Sequence, residues 1–119
     1  MTQILPTNPA QAAEKMVKII EELVSFIEAE TNALASNDGT SFAMNEQAKE
    51  DAIANYEQAA KEFHNRLADF QQVDVSIVER LTKAQESLAQ TTQNNLKILE
   101  KFEENNPEQK PEDNQEKAS

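Results

Sequence analysis

The sequence predicts an all-α protein, an elongated three-helix up-down-up antiparallel bundle with coiled-coil-like packing. Three observations carry that expectation. Seam positions recur in alternating steps of four and three through Phe42, Glu46, Lys49, Ile53, Tyr56, Ala60, Phe63, Leu67 and Phe70. They recur again through Ile77, Leu81, Ala84, Leu88, Thr91, Asn95, Ile98 and Phe102. Steps averaging 3.5 residues hold one stripe against a neighbouring helix over many turns. The composition agrees, with a single Gly in 119 residues, abundant Ala, Glu, Gln, Lys and Leu, and few of the residues that strands favour. Turn signals at 36–39 and 72–74 then divide the chain into three segments of similar length.

Residues 1–7 are expected to form an irregular N-terminal arm. Asn8 is placed to cap the first helix, with Pro9 at a position where its missing N–H is harmless and Gln11 completing a capping-box pattern. This helix is predicted over 9–37. Its stripe of Met16, Ile19, Ile20, Leu23, Phe26, Ile27 and Leu34 is wide enough to face two neighbours. Gly39 is expected to take the left-handed conformation that closes many helices. Thr40 or Ser41 then caps a second helix over 41–71, free of internal Pro and Gly. Asp74 caps a third over 75–104, with Val73 set to pack on Val78, and Pro107 prevents further continuation. Each helix is on the order of 45 Å long at 1.5 Å per residue. The bundle therefore occupies 8–104. Residues 105–119 end in EQKPEDNQEKAS, which has nothing apolar enough to offset its ordering entropy, and are expected to be a disordered acidic tail.

A net charge of -11 without any basic cluster argues against nucleic acid and anionic membrane surfaces as partners. The charge is unevenly spread. Acids dominate 1–72 and the tail, whereas between 73 and 102 Asp74, Glu79, Glu86 and Glu100 are balanced by Arg80, Lys83, Lys97 and Lys101. The third helix is thus the least repulsive surface for a partner. The chain has no Cys for a disulfide framework, no basic start and apolar run of a signal peptide, and no apolar stretch long enough for membrane insertion. A soluble, cytoplasmic protein is expected.

Catalytic chemistry has little to stand on. The one histidine, His64, lies beside the seam residue Phe63 and reads as an ordinary half-exposed side chain, and no Gly-rich loop could bring N–H donors to a phosphate. Glu21 with Glu22, and Glu103 with Glu104, are adjacent and so face apart on a helix. Nor does any set match the inward Glu plus Glu-x-x-His arrangement of a di-metal bundle. No enzyme, cofactor or metal site is expected.

The polar seam residues are more informative. Reflection about a turn centred near Gly39 sets Glu30 across from residue 48, so Glu30 and Lys49 form a candidate interhelical ion pair. Such a pair either fixes helix register or is a solvated rim pair worth little. In the third helix, Thr91, Thr92, Gln93, Asn94 and Asn95 dilute the seam before Leu96, Ile98, Leu99 and Phe102 resume it, spread too widely for one narrow contact. Those residues either close the end of the bundle or receive a partner, for which an amphipathic helix in a groove is the expected mode. Several Ala seam positions keep the core small, so self-association would also stabilise the rod.

In the order of these features the chain resembles the FlgN-type flagellar export chaperones. The residues that carry the resemblance are Leu23, Glu30 and Leu34, a turn at Asp38, Lys49 followed by aliphatic heptads, and Asn95 four residues before Leu99, over about 15–102. The Gln-, Thr- and Asn-rich middle of the third helix departs from that pattern, as does the arm. The resemblance implies a small acidic protein that keeps hook-associated, hook-filament junction subunits unassembled in the bacterial cytoplasm and delivers them to the type III export apparatus. It also implies that the C-terminal helix grips helical segments of those subunits, through Leu88, Asn95, Leu96, Leu99 and Phe102 on this chain. The alternative is a structural coiled-coil protein acting through homo-oligomerisation, or a general helical adaptor.

Overall fold

Asn8 begins the regular structure, its side chain accepting the Gln11 N–H at 3.0 Å while Pro9 opens the first helix. A computed structural model describes residues 3–105, and every regular element among them is helical. Helix α1 spans Pro9–Ala35, α2 Gly39–Asn65 and α3 Val75–Asn105, with a 3-10 helix at Leu67–Gln72 between α2 and α3. There are thus four helical elements rather than three. The molecule is somewhat extended, 51 × 28 × 23 Å. The tail beyond Asn105 lies outside the described residues.

Three local details differ from the sequence-based expectations. First, α1 ends at Ala35, not at residue 37, and Asn37 rather than Gly39 adopts the left-handed conformation, with φ 56°. The Asp38 N–H reaches the Ala33 carbonyl and the Asn37 N–H reaches Leu34, the two bonds of a Schellman ending. Asn tolerates this geometry, so the glycine is released to become the first residue of α2, where an added Cβ would meet nothing within 4 Å. Second, α2 is capped by Asp38, not by Thr40 or Ser41. Its carboxylate accepts the Ser41 N–H at 3.0 Å and hydroxyl at 2.7 Å.

Third, α2 stops at Asn65 instead of continuing to residue 71. In a continuous α-helix Phe63 and Phe70 would be about 10.5 Å apart along the axis. The 3-10 turn folds the chain back so that their rings stack with centroids 4.3 Å apart, burying Phe70 to 8 % exposure. The added contact offsets the lost helical hydrogen bonds. Asp74 then starts α3, its carboxylate accepting the Ser76 N–H at 2.8 Å. Val73 packs against the core, while Val78 remains exposed.

Helix α1 is the shared partner, packing along both α2 and α3, which approach each other much less closely. The Asn45 amide donates to the Phe26 carbonyl near one end of the α1–α2 pair, and Glu62 meets Ile4 and Leu5 near the other, so α2 runs antiparallel to α1. Arg80 lies 3.8 Å from Glu14, and Asn95 reaches Glu30, so α3 runs parallel to α1. On α2 the most buried residues are Ala52 and Ala59, whose small side chains let the helix sit close on α1, while the seam residues Ile53, Tyr56, Ala60 and Phe63 are half-buried.

The main core gathers Ala12, Ala13, Met16, Val17, Ile19 and Ile20 with Ala59, Phe70, Leu81, Ala84 and, from the arm, Leu5. A smaller cluster of Leu23, Ile27 and Ala52 continues it, closed over by Ile53, Tyr56 and Leu88. The irregular arm rests on the far end of α2. Ile4 and Leu5 donate their N–H groups to the Glu62 carboxylate at 2.8–3.1 Å, and Arg66 donates to the Pro6 and Thr7 carbonyls at 2.8 Å.

Candidate functional site

Beyond the apolar core, the inward positions of α1 change from Ile27 to Glu30, and a polar layer crosses the molecule. Glu30 is buried, at 5 % exposure, which an isolated carboxylate could not bear. It is compensated from both neighbours. Lys49 of α2 donates to Oε2, and Asn95 of α3 donates to Oε1 at 2.7 Å. The same Asn95 amide reaches Thr31 Oγ1 at 3.0 Å, and the Thr31 hydroxyl donates to the Ile27 carbonyl at 3.0 Å. Lys49 Nζ lies 3.1 Å from Glu46 as well. One carboxylate therefore ties all three long helices together.

Burial pushes the Glu30 pKa up, but hydrogen bonds from Lys49 and Asn95 and the Lys49 charge pull harder, so the net shift is downward. Burial likewise pushes Lys49 down, while its bonds to Glu30 and Glu46 raise it above its ordinary value. Each partner holds the other charged at neutral pH.

Next to this layer, at the end where α1 turns into α2, lies a cleft of about 520 Å³. Ala33 and Leu34 come from α1, Asn37 and Asp38 from the turn, Phe42 from α2, and Leu99, Phe102 and Glu103 from α3. The walls are mainly apolar, with two carboxylates on the lining. Hydrogen bonds from Ser41 hold the Asp38 carboxyl below its ordinary pKa, keeping that charge in place. The cleft suits an apolar side chain or helix edge with a basic group beside it.

The structure divides the five residues expected to bind a partner. Leu99 and Phe102 come together in the cleft. Leu96 lies on the surface of α3, 53 % exposed. Leu88 is half-buried against both core clusters, and Asn95 is buried within the polar layer, engaged with Glu30 and Thr31. His64 is exposed on α2.

Phe42 and Leu34 complete the cleft and were not among the expected partner-binding residues. Their signal was present: Phe42 heads one heptad run and Leu34 ends the α1 stripe, so antiparallel reflection about the turn brings them together. Among the described residues, no three His, Asp or Glu side chains are grouped to hold a metal ion, and no helix is long and apolar enough to cross a membrane. No family model matches the chain, and neither a curated protein nor a solved structure matches it.

Proposed function

We propose that this chain is a non-enzymatic binding protein of the cytoplasm, a flagellar export chaperone of the FlgN type. In this reading its long helices act as one elongated three-helix up-down-up antiparallel bundle with coiled-coil-like packing. Its role is to hold helical segments of hook-associated subunits unassembled before export. The supporting observation is the convergence of Leu99 and Phe102 with Leu34 and Phe42 in the acidic-rimmed cleft, beside the exposed Leu96. Apolar contacts there supply affinity, and the Asp38 and Glu103 carboxylates on the lining favour a basic group on the partner. Leu88 and Asn95 support the site from inside by fixing α3 on α1, rather than by touching the partner.

Isothermal titration with purified hook-associated subunits tests this reading. Binding is expected to weaken at least tenfold in Leu99→Asp, with helicity retained. Absence of binding by the parent chain to every hook-associated subunit overturns the assignment.

Homo-oligomerisation is the second reading, favoured by another observation. Val75, Val78 and Leu96 are 71 %, 40 % and 53 % exposed and belong to one uncharged stripe of α3 that continues through Thr82, Gln85, Ala89 and Thr92. Sedimentation across a hundredfold concentration range separates the two, since a persistent monomer leaves the second without a basis.

A further inference from the structure

The best-formed recognition geometry outside the cleft is at the opposite end of α2, where the N-terminal arm is held. Glu62 accepts three hydrogen bonds from the Ile4 and Leu5 N–H groups, and Arg66, one turn later, donates one guanidinium nitrogen to the Pro6 carbonyl and another to that of Thr7. These are charge-assisted bonds to main chain alone. They read a direction, two N–H groups followed by two carbonyls, and no side-chain identity. Side-chain selection falls to one socket in the main core cluster, where Leu5 is only 2 % exposed. Proline fits the next position because it has no N–H to leave unpaired.

The arm is also separable from the helices it rests on. Helix α1 is capped by Asn8 and opened by Pro9, with no help from Ile4 or Leu5. Arg66, when released, still has Asp69 at 3.5 Å and the Phe70 ring at 5.5 Å. Departure of the arm would therefore leave a ready acceptor, a ready donor and an apolar socket.

We propose that Glu62, Arg66 and the Leu5 socket form a peptide site that the chain fills with its own arm. Its ligand is an extended segment with two successive free N–H groups, an aliphatic side chain on the second of those residues, and proline next. The arm acts as an internal competitor. It shields the socket from unspecific contacts, and an incoming segment's apparent affinity is lowered by the fraction of molecules in which the arm is seated. The site lies at the other end of α2 from the cleft and stands independently of the function proposed above.

The test uses the full chain and a capped, fluorescent peptide of residues 3–8. Leu5→Glu ejects the arm, and this variant is expected to bind the peptide at least tenfold more tightly than the parent chain does. Adding Glu62→Ala abolishes that gain. A Leu5→Glu protein of unchanged helicity that binds no better than the parent overturns the proposal. Amide hydrogen exchange on the unmodified chain provides a second arm that needs no variant to fold. The Ile4 and Leu5 amides are expected to exchange at least tenfold faster than those of Met16 and Ile20, because the arm opens while the bundle stays intact. Equal protection at the four sites would mean that the arm leaves only on global unfolding, and the internal-competitor role fails.

Discussion

The two halves of α1 face their neighbours in different ways. From Ala12 to Ile20 every inward residue is apolar and at most 5 % exposed, meeting Ala59, Phe70, Leu81 and Ala84. At Glu30 the inward position meets Lys49 and Asn95 instead, and beyond it Ala33 and Leu34 line a cleft. Apolar burial is non-directional and accumulates with area, whereas a buried ion pair recovers mainly what its own desolvation cost. The first half thus holds the helices together, and the second fixes how they are aligned. Under the proposed function the partner docks at the second end, where less stability is lost if α3 shifts.

The largest expected effect lies in the apolar half. Ile20 is fully buried, so Ile20→Ala should destabilise by about 3 kcal/mol, lowering the melting temperature by roughly 15 °C. Glu30→Ala should cost about 2 kcal/mol, because it removes one of the two acceptors of the Asn95 amide and leaves Thr31 as the other, while Lys49 retains Glu46 at 3.1 Å. Thermal melts of the two variants compare the halves directly. If Glu30→Ala is the more damaging, the polar layer is the main support and the contrast is reversed.

Acid should expose the same difference. The Glu30 and Glu62 carboxyls both lie below their ordinary pKa, so as pH falls the unfolded chain takes up protons first. Their stabilisation is complete above the unfolded value of about 4.3 and is lost as pH falls through it toward the folded values. Urea midpoints at pH 7 and pH 3.5 should therefore differ in the parent chain. The difference should shrink in Glu30→Gln and persist in Ile20→Ala. An unchanged pH response in Glu30→Gln would show that charge does not hold the second half.

How far this contrast can be read in the sequence depends on what each contact requires. Glu30 and Lys49 are joined by one short turn, so their pairing can be found by counting back from it. Asn95 reaches the same carboxylate from a helix separated by α2, a 3-10 turn and a loop, and no count across those elements fixes its height on α1. The all-α class was legible, because the step pattern and the near absence of Gly admit little else. The break after Asn65 was not: Phe70 keeps the heptad spacing from Phe63, yet folds back to stack on it. Gly39 was a misleading signal for the helix end, since Asn37 meets the same steric demand. The arm carried no periodicity at all, and Leu5 is buried in a cluster that includes Ala59, Phe70, Leu81 and Ala84, its N–H held by Glu62, all far along the chain.

The smallest expected effect on stability falls on an exposed residue of α3. Leu96 is one position beyond the buried Asn95, which turns its side chain off the α1 contact and leaves it 53 % exposed. Leu96→Ser should therefore change stability by no more than about 0.5 kcal/mol, measurable as an urea midpoint close to that of the parent. Asn95→Ala, one residue away, removes a buried donor to Glu30 and should cost about 1–2 kcal/mol. Under the proposed function, binding of a helical partner should respond in the opposite order: Leu96→Ser weakens it severalfold by direct loss of contact. Asn95→Ala weakens it only so far as α3 loses its alignment. If both variants lower stability and binding in parallel, α3 acts as structure alone, and the division between a holding end and a receiving end no longer applies to it.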